Sequence, residues 1–479
     1  MMREIWPYLA VLILASLFRG TIAAWFPFAA GDALVYLNVA RNILENACVS
    51  MSPPASSACV PHWGGNQLPG YPVFIAVSWF IFGEGNDSIR IAQTIVAVAS
   101  ILYMMKAVHV LSGSRTATIA IGVILALSPV SVAWPRHIFT ETLAIAVTVW
   151  LFAELIFSLG EKKLRIWQVA LALAVAGYIR IDMLSLCLPV AVAGFMIHRP
   201  VVALRRGLVI ALLMLVPLGG WSARSVSVGL GPLPKMVVVA ENARVPAGVL
   251  AWGSTWSTNE YHLPTWAFPV FTLQYSTIDP PPEAFDNPVE EARVRGLVTR
   301  AAAYDGQELP VEIDDAFLQI ARERNQRVPW RSWFILPLKR SALMWANIYT
   351  SGGFPMASEL GGGFDGTKLN KAFSAGISGI VTLVLKNPLL AFFKALSGGH
   401  RIALLLLIVC STLICLKKPR SLFTDLFWIS LAFGFGRTLA FALTFNNSTR
   451  YIVEAASILE VATVLVILLV FRNRRLAKE

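Results

Sequence analysis

Two acidic residues stand at the ends of long apolar runs, where a charged side chain can take part in chemistry. Asp32 follows the first apolar run, Ile5 to Ala24, and Glu141 opens a later one. A carboxylate at a helix end can face water or a polar headgroup and so avoids the cost of a charge buried in hydrocarbon. Because such a carboxylate can take a proton from an attacking hydroxyl or amine, Asp32 is the candidate catalytic base and Glu141 the second candidate catalytic acid.

Basic residues between the apolar runs could complete the site. Arginine holds a phosphate group through two parallel N–H donors and stabilises it as it departs. Together with a carboxylate base, it suits transfer from a phosphate-linked donor. The candidate substrate-binding residues are Arg90, Arg136, His137, Arg224, Arg450 and Tyr451, with Arg180 as a further cation. A divalent metal ion, Mg²⁺ or Mn²⁺ held by Asp32 and Glu141, is compatible with this chemistry but is not required by it.

Simpler roles exist for the same residues. Arginines at the ends of spanning helices often anchor the helix in the membrane interface, and Arg180 can pair with Asp182 two residues further on. The helix dipole favours an acid at a helix N-terminus, which gives Glu141 a structural explanation. Asp32 alone fits a solvated loop residue as well as a functional group, and His137 and His62 fit polar loop positions. The sequence leaves these alternatives open.

The composition identifies a membrane protein. Of the 479 residues, 56% are hydrophobic and only 14% are charged, and the mean hydropathy is +0.64. In soluble domains about a quarter of all residues are usually charged. The formal charge of +12 comes from short basic clusters between apolar runs. This distribution is typical of membrane topology and argues against a nucleic-acid partner.

The basic clusters also predict the topology. If every cluster is cytoplasmic, alternate loops fall on the two sides of the membrane in a consistent order. Both termini are then cytoplasmic, residues 25–87 and 224–400 lie outside, and Asp32, Glu141 and the candidate arginines share the outer face. The predicted spans are 5–24, 88–110, 116–134, 140–158, 166–180, 183–197, 207–223, 401–416, 422–442 and 451–471.

Three regions follow from this topology. An N-terminal transmembrane module at 1–223 contains the first external loop at 25–87, an extracytoplasmic domain occupies 224–400, and C-terminal helices with a basic tail occupy 401–479. Within the first loop, the spacing of apolar residues predicts an amphipathic helix from Asp32 to Asn46.

Other external segments are apolar without being long enough to span. The short length of the apolar segment from Tyr71 to Phe82 predicts an interfacial or re-entrant helix. Pro329 to Tyr349 and Ala375 to Leu396 carry basic residues among apolar and aromatic ones, as helices in the membrane interface do, although either could also be a span. Cys48 and Cys59 share the first loop, where a disulfide and two free thiols are equal alternatives.

Short motifs occur in an order that resembles the GT-C superfamily of membrane glycosyltransferases. In chain order they are Asp32 with Tyr36 and Ala40, Leu68-Pro69-Gly70-Tyr71-Pro72, Phe82-Gly83, Ile89-Arg90, Leu127-Ser128-Pro129, Thr140-Glu141-Thr142-Leu143, Trp221 to Arg224, and Arg450-Tyr451. Within the superfamily this order is most similar to the bacterial branch related to protein O-mannosyltransferases and to the aminoarabinose and galacturonic acid transferases of lipid A. The similarity covers residues 5–230 and returns at the C-terminal end.

The resemblance implies roles for individual residues. Asp32 takes the place of the catalytic Asp of the first loop, Glu141 that of the second acid, and Arg90, Arg224 and Arg450 those of donor-phosphate contacts. Three departures stand out: an Ala follows Asp32 where many members carry an acid, the second acid is Glu rather than Asp, and Leu-Pro-Gly-Tyr-Pro replaces Lys-Pro-Pro of the lipid A enzymes. The last departure argues against aminoarabinose as the sugar.

These observations predict an all-α polytopic membrane protein, a GT-C-like bundle of about 10 to 13 transmembrane helices with interfacial helices in the first external loop and a small extracytoplasmic domain. The implied activity is transfer of a sugar from a polyprenyl-phosphate donor to a lipid, glycan or protein acceptor on the periplasmic face of the bacterial inner membrane. Transfer would invert the anomeric carbon, with Asp32 as general base.

Other functions remain as alternatives. They are a flippase or transporter of a lipid-linked substrate, an O-antigen polymerase or ligase, and a non-catalytic scaffold. A transporter usually carries polar residues at mid-membrane depth and repeated halves, and no internal repeat occurs in the sequence. The sequence also contains no P-loop, no His-Glu-x-x-His motif and no Gly-x-Ser-x-Gly elbow, which argues against a nucleotide-driven enzyme.

Overall fold

The structure is a computed structural model that describes residues 2–29, 32–51, 59–62, 68–233, 243–258, 262–346, 376–386, 388–444 and 448–476. Within these ranges the secondary structure is helical and contains no strand. Six of the described helices are long and apolar enough to cross a membrane, and shorter apolar helices accompany them. The predicted all-α, polytopic membrane fold is confirmed.

The helices alternate with short connections along the chain. The first group is α1 (Met2–Trp25), α2 (Asp32–Asn46), α3 (Gly70–Phe82), α4 (Asn86–Ser112), α5 (Arg115–Leu127), α6 (Glu141–Glu161), α7 (Ile166–Ile179), α8 (Cys187–Ile197) and α9 (Pro200–Ser227). The second group is α10 (Ala247–Ser254), α11 (Leu263–Phe271), α12 (Pro288–Ala301), α13 (Val311–Arg327) and α14 (Leu336–Ala346). The last group is α15 (Gly376–Lys386), α16 (Pro388–Lys417), α17 (Leu422–Ala442) and α18 (Val453–Leu476).

Each predicted span overlaps a helix, but some boundaries differ. The span predicted at 116–134 ends at Leu127, because the backbone of Ser128 is extended ahead of Pro129. A turn and a short 3₁₀ helix, Trp134–Arg136, follow. The chain therefore leaves the helix before the polar residues that the sequence analysis assigned to the site.

Two further boundaries concern α8 and α16. The span predicted at 183–197 begins as a 3₁₀ helix, Ile181–Leu186, before α8. The interfacial segment that was predicted to end at Leu396 and the span predicted at 401–416 form one continuous helix, α16. Gly31, Tyr349 and Ala375, which belong to predicted segments, lie outside the described residues.

Packing divides the chain into two compact units. The first unit comprises Met1–Pro234, Ile348–Gly436 and Val453–Glu479, and the second comprises Lys235–Asn347 and Arg437–Ile452. These units are defined by contacts in space, whereas the predicted regions at 1–223, 224–400 and 401–479 follow the order of the sequence.

Helix α6 is the most enclosed of the six long apolar helices. In its apolar window 89% of the residues are buried, and it packs against α4, α7 and α18. A helix that is apolar on all sides gains from burial on all sides. The first residue of α6 is Glu141, so this candidate acid stands at the start of the most enclosed of these long helices.

The loop that the sequence predicts to be external, residues 25–87, is anchored at two points. Cys48 and Cys59 form a disulfide, which decides between the two alternatives left by the sequence. Helix α3 begins at Gly70, and a Cβ atom at this position would overlap the backbone carbonyl of Tyr178 at the end of α7. Only glycine permits this close approach without a shift of one helix.

The second unit has its own core of aromatic and aliphatic side chains. Trp252, Trp266 and Phe317 are almost fully buried there. Buried Arg324 donates to Glu290 from its Nε at 3.0 Å and joins α12 to α13. The predicted interfacial segment that begins at Pro329 contains a π-helical turn, Arg331–Ile335, followed by α14.

Candidate active site

Asp32 lies at the first position of α2, and its side chain is half-buried. Four residues earlier, Phe28 pairs with His137 in an isolated parallel bridge, and the N–H of Phe28 donates to the carbonyl oxygen of Arg136 at 3.2 Å. The backbone that leads to Asp32 is therefore bonded to the turn that leads to Glu141. Because backbone bonds need no particular side chain, this pairing has no signature in the sequence.

Helix α4 holds the same turn from the other side. The Nε of Arg90 donates to the carbonyl oxygen of Arg136 at 3.2 Å, and Gln93 donates to the carbonyl oxygen of His137 at 2.8 Å. Arg90 also pairs with Asp87 at 2.7 Å. The guanidinium of Arg90 is thus engaged within the protein, and Gln93 is a contact that the sequence analysis missed.

The side chains of Arg136 and His137 face the first loop. Arg136 is fully buried and donates from Nη1 to the carbonyl oxygen of Phe26 at 2.8 Å. The ring of His137 lies 4.9 Å from that of Phe28 and 5.4 Å from that of Phe139, measured between centroids. Both residues hold the two loops together in the structure, and their role as substrate contacts remains a prediction.

A pair of tyrosines extends this network into α2 and α3. The rings of Tyr36 and Tyr71 meet edge to face with centroids 5.0 Å apart, and the Tyr71 hydroxyl donates to Oε1 of Gln93 at 3.0 Å. Tyr71 is completely buried. The helix that begins with Asp32 is thereby connected through α3 to α4, and the Leu-Pro-Gly-Tyr-Pro motif supplies the central tyrosine.

Glu141 belongs to a buried cluster of charges around Arg180. The Nη1 of Arg180 lies 3.2 Å from Oε1 of Glu141 and 3.7 Å from Oε1 of Glu454. Asp182 accepts two hydrogen bonds from the same guanidinium, at 3.0 and 2.9 Å. The pairing of Arg180 with Asp182 that the sequence suggested is present, and it is one part of a larger cluster.

The composition of this cluster is unusual for a buried site. Three carboxylates share one guanidinium, and the side chains of Glu141, Arg180 and Glu454 are at most 4% exposed. Buried charges persist when they are paired and hydrogen-bonded. Glu454 was missed by the sequence analysis, although an acid in the first turn of the last apolar run was a signal for it.

Arg224 is placed differently from the buried candidate arginines Arg90, Arg136 and Arg180. It lies near the end of α9, its side chain is half-buried, and its guanidinium lies 4.9 Å from the ring centroid of Trp221. The Nη1 of Arg224 donates to the carbonyl oxygen of His62 at 2.9 Å. The bond joins α9 to the loop at 25–87, which also carries Asp32.

Arg450 and Tyr451 belong to the second unit. The Nη2 of Arg450 donates to the Tyr451 hydroxyl at 3.0 Å, and the Tyr451 ring stacks on that of Phe441 with centroids 4.3 Å apart. Arg437 donates to the carbonyl oxygen of Tyr451 at 2.6 Å. These contacts give Arg450 a fixed local setting, and its part in a substrate site stays a prediction.

The candidate ligands for a divalent metal ion are Asp32 and Glu141. Across the described residues, no set of three or more His, Cys, Asp or Glu side chains is arranged to hold a metal ion. The carboxylate of Glu141 accepts a hydrogen bond from the positively charged guanidinium of Arg180. A divalent metal ion held by Asp32 and Glu141 stays an expectation from the sequence.

Comparison with known families finds a match to a segment in the N-terminal half of the chain. Residues 66–221 match the family model described as dolichyl-phosphate-mannose-protein mannosyltransferase. The matched segment contains Arg90, Arg136, His137 and Glu141, and it ends at Trp221, three residues before Arg224. The predicted resemblance to the protein O-mannosyltransferase branch is thereby confirmed. No significant match to a curated protein sequence was found.

Three solved structures are similar to the chain at low sequence identity. ArnT from Cupriavidus metallidurans in the apo state is 13% identical, with a TM-score of 0.42, and the match covers 97% of this chain and 78% of ArnT. The same protein bound to undecaprenyl phosphate is 14% identical, with a TM-score of 0.42 and coverages of 95% and 77%. The oligosaccharyltransferase of Archaeoglobus fulgidus tethered with an acceptor peptide is 12% identical, with a TM-score of 0.45 and coverages of 99% and 50%.

Proposed function

We propose that the chain is a membrane glycosyltransferase that moves a sugar from a polyprenyl-phosphate donor to a lipid, glycan or protein acceptor on the outer face of a bacterial inner membrane. The supporting observation is the bond between the backbone before Asp32 and the turn before Glu141, through Phe28 and Arg136. It joins two loops that are far apart in sequence and that carry the two candidate acids.

Asp32 is the general base of this proposal. Its side chain is half-buried, so an acceptor can reach it, and it starts a helix that Tyr36 ties to the rest of the first unit. The acceptor oxygen or nitrogen attacks the anomeric carbon as the bond from that carbon to the phosphate oxygen breaks. Asp32 takes the acceptor proton, the lipid phosphate leaves with the bonding electrons, and the anomeric configuration inverts.

Arg224 is the proposed first contact of the donor phosphate. Arg90, Arg136 and Arg180 are buried, whereas Arg224 is half-buried and lies beside Trp221 near the end of α9. An accessible guanidinium can hold a phosphate bidentately and stabilise the negative charge that develops on it. Arg450 and Tyr451 stay candidate substrate contacts from the sequence alone.

Glu141 acts in this proposal by holding Arg180 rather than as a free acid or base. Its carboxylate is buried and bonded to the Arg180 guanidinium, which leaves it poorly placed for proton exchange with an acceptor. The cluster instead fixes the start of α6 and the turn before it. A divalent metal ion remains an expectation from the sequence, and no step of the proposal passes through one.

The proposal is tested by transfer assays on the purified chain in lipid nanodiscs. The assay supplies polyprenyl-phosphate sugars and follows release of the lipid phosphate and labelling of the acceptor, with candidates chosen by mass spectrometry of envelope glycolipids and glycoproteins from strains with and without the gene. Asp32→Asn is expected to lower transfer by roughly 10²- to 10⁴-fold.

The matched control is Glu45→Gln, which neutralises an exposed carboxylate on the same helix and is expected to leave transfer unchanged. If Asp32→Asn kept full transfer at normal membrane levels, Asp32 would not be the base. If no polyprenyl-phosphate sugar supported transfer by the unaltered chain, the donor class would be wrong.

A further inference from the structure

A small cavity lies among α1, α4, α5 and α6 in the first unit. Most of its wall is apolar, and its polar lining consists of Arg19, Ser100, Ser131 and Thr142. The space open to the centres of water-sized molecules is about 10 Å³, which is room for a single water molecule. The cavity is therefore too small for a substrate and large enough for one water.

Arg19 uses only part of its hydrogen-bonding capacity. It is 2% exposed, and its two terminal nitrogens donate to the carbonyl oxygens of Ala126 at 2.9 Å and Leu125 at 2.8 Å. These carbonyls belong to the last turn of α5, where helical partners are missing and the helix dipole is negative. The end of α5 thus compensates the positive charge, while Nε has no partner among the described residues.

Thr142 is the second residue at the cavity that has a polar group without a hydrogen-bond partner among the described residues. Its side chain is 3% exposed, and Oγ1 has no hydrogen-bond partner within the described part of the chain. Thr148, six residues further along α6, shows the usual arrangement for a buried helical threonine, because its hydroxyl donates to the carbonyl oxygen of Ala144 at 2.8 Å. Buried polar groups without partners are rare, and here two of them line one cavity.

We propose that the cavity is a binding site for one ordered water molecule that accepts a hydrogen bond from Nε of Arg19 and bonds to the hydroxyl of Thr142. This water links α1 to the first turn of α6, one residue beyond Glu141. A halide ion would satisfy the same two donors, but it is larger than water and would require the apolar walls to move apart. The site stands whether or not the proposed transferase activity is correct.

The substitution Thr142→Val distinguishes a cavity that contains a water from a dry one, because the change in Tm has opposite signs in the two cases. Valine has nearly the same shape as threonine and removes only the hydroxyl. If the water is present, the variant loses a hydrogen bond and its Tm falls by about 2 °C or more. If the cavity is dry, the variant removes an unpartnered buried hydroxyl and its Tm rises, which overturns the proposal.

Controls and a second measurement complete the test. Thr148→Val removes a hydrogen bond that is present in the structure, and its Tm calibrates the expected decrease. Thr142→Ser keeps the hydroxyl, so its Tm should decrease less than that of Thr142→Val. A density map of the full chain that resolves ordered waters should show a peak between Arg19 and Thr142. An empty cavity in that map, or a Tm that rises with sodium bromide but not with sodium gluconate at equal ionic strength, rejects the water assignment.

Discussion

The guanidinium of Arg180 donates to the carboxylate of Glu141 at 3.2 Å, and both side chains are almost completely buried. Asp182 and Glu454 contact the same guanidinium. The cluster therefore joins α6, the 3₁₀ helix after α7, and the last helix of the chain around one cation. A buried ion pair contributes little net stability, but removal of one partner leaves an uncompensated charge, so the cluster mainly enforces one arrangement of these helices.

Replacement of the central cation is expected to be severe. Arg180→Gln leaves three buried carboxylates without a cation and should destabilise the fold by about 3–5 kcal/mol. Glu454→Gln keeps the shape and removes one negative charge, so a smaller loss is expected. Thermal unfolding of the purified variants measures both effects. The control is Arg41→Gln, which breaks the exposed pair with Glu84 and should cost less than about 1 kcal/mol; equal losses for Arg180→Gln and Arg41→Gln would contradict the proposed importance of the cluster.

Glu141→Gln distinguishes a holding role from an acid–base role. The amide oxygen of glutamine can still accept from Arg180, so we expect transfer to fall by less than about tenfold with an unchanged pH profile, whereas general acid or base loss would typically cost 10²–10⁴-fold. The measurement is kcat against pH for both acids. A loss as large as that of Asp32→Asn, together with a missing limb of the pH profile, would assign proton transfer to Glu141.

Arg224→Ala should weaken donor binding. Loss of a charge-assisted phosphate contact of about 1.5–3 kcal/mol predicts a KM for the polyprenyl-phosphate donor that rises by roughly 10- to 100-fold. Arg224→Lys should recover part of the effect, because lysine offers a charge without the bidentate geometry. Arg300→Ala, at an exposed arginine of α12, is the control. An unchanged donor KM in Arg224→Ala would remove Arg224 from the phosphate site.

Gly70→Ala should destabilise the first unit through a steric overlap. A methyl group at this position meets the backbone carbonyl of Tyr178, so α3 or the end of α7 has to shift, at a cost of about 1–3 kcal/mol. Gly219→Ala is a matched control inside α9, where an added methyl meets nothing within 4 Å. Helix propensity predicts that the control is neutral or stabilising by up to about 1 kcal/mol. Similar unfolding temperatures for the two variants would show that the contact at Gly70 is relieved at little cost.

The second unit should lose stability in acid. Burial alone would raise the pKa of Asp286, but the hydrogen bond from Arg331 and the positive charges of Arg324, Arg331 and Arg327 lower it below its ordinary value. A carboxyl group with a lower pKa in the folded state stabilises the fold above its ordinary pKa. That contribution is lost as the pH falls below about 4 and through the folded-state pKa.

Hydrogen exchange of α12 and α13 against pH checks this expectation. Asp286→Asn should remove part of the acid sensitivity, whereas Asp315→Asn, at an exposed position of α13, should leave it unchanged. If Asp286→Asn and the unaltered chain lost protection at the same pH and to the same extent, Asp286 would not contribute to the acid sensitivity.

Local sequence determined where the helices lie and where several of them end. Long apolar runs predict helices in a membrane whatever their neighbours are. Pro129 ends α5 because the residue before a proline avoids the helical conformation. The spacing of Asp32 and Glu141 relative to those runs likewise places both acids at helix starts, and the structure has them at the first positions of α2 and α6.

Only the tertiary structure decided which side chains meet. Glu141 and Arg180 are 39 positions apart, and Glu454 reaches them from the last helix. Arg19, which sequence analysis treated as part of an ordinary span, contacts the end of α5 more than 100 positions away. Such partners depend on how each helix is rotated about its axis and which helices are its neighbours. The periodicity of apolar residues does not determine either of these. The sequence by itself therefore determined the helices and the positions of the two acids at helix starts. Packing between helices decided that the carboxylate of Glu141 contacts the buried guanidinium of Arg180.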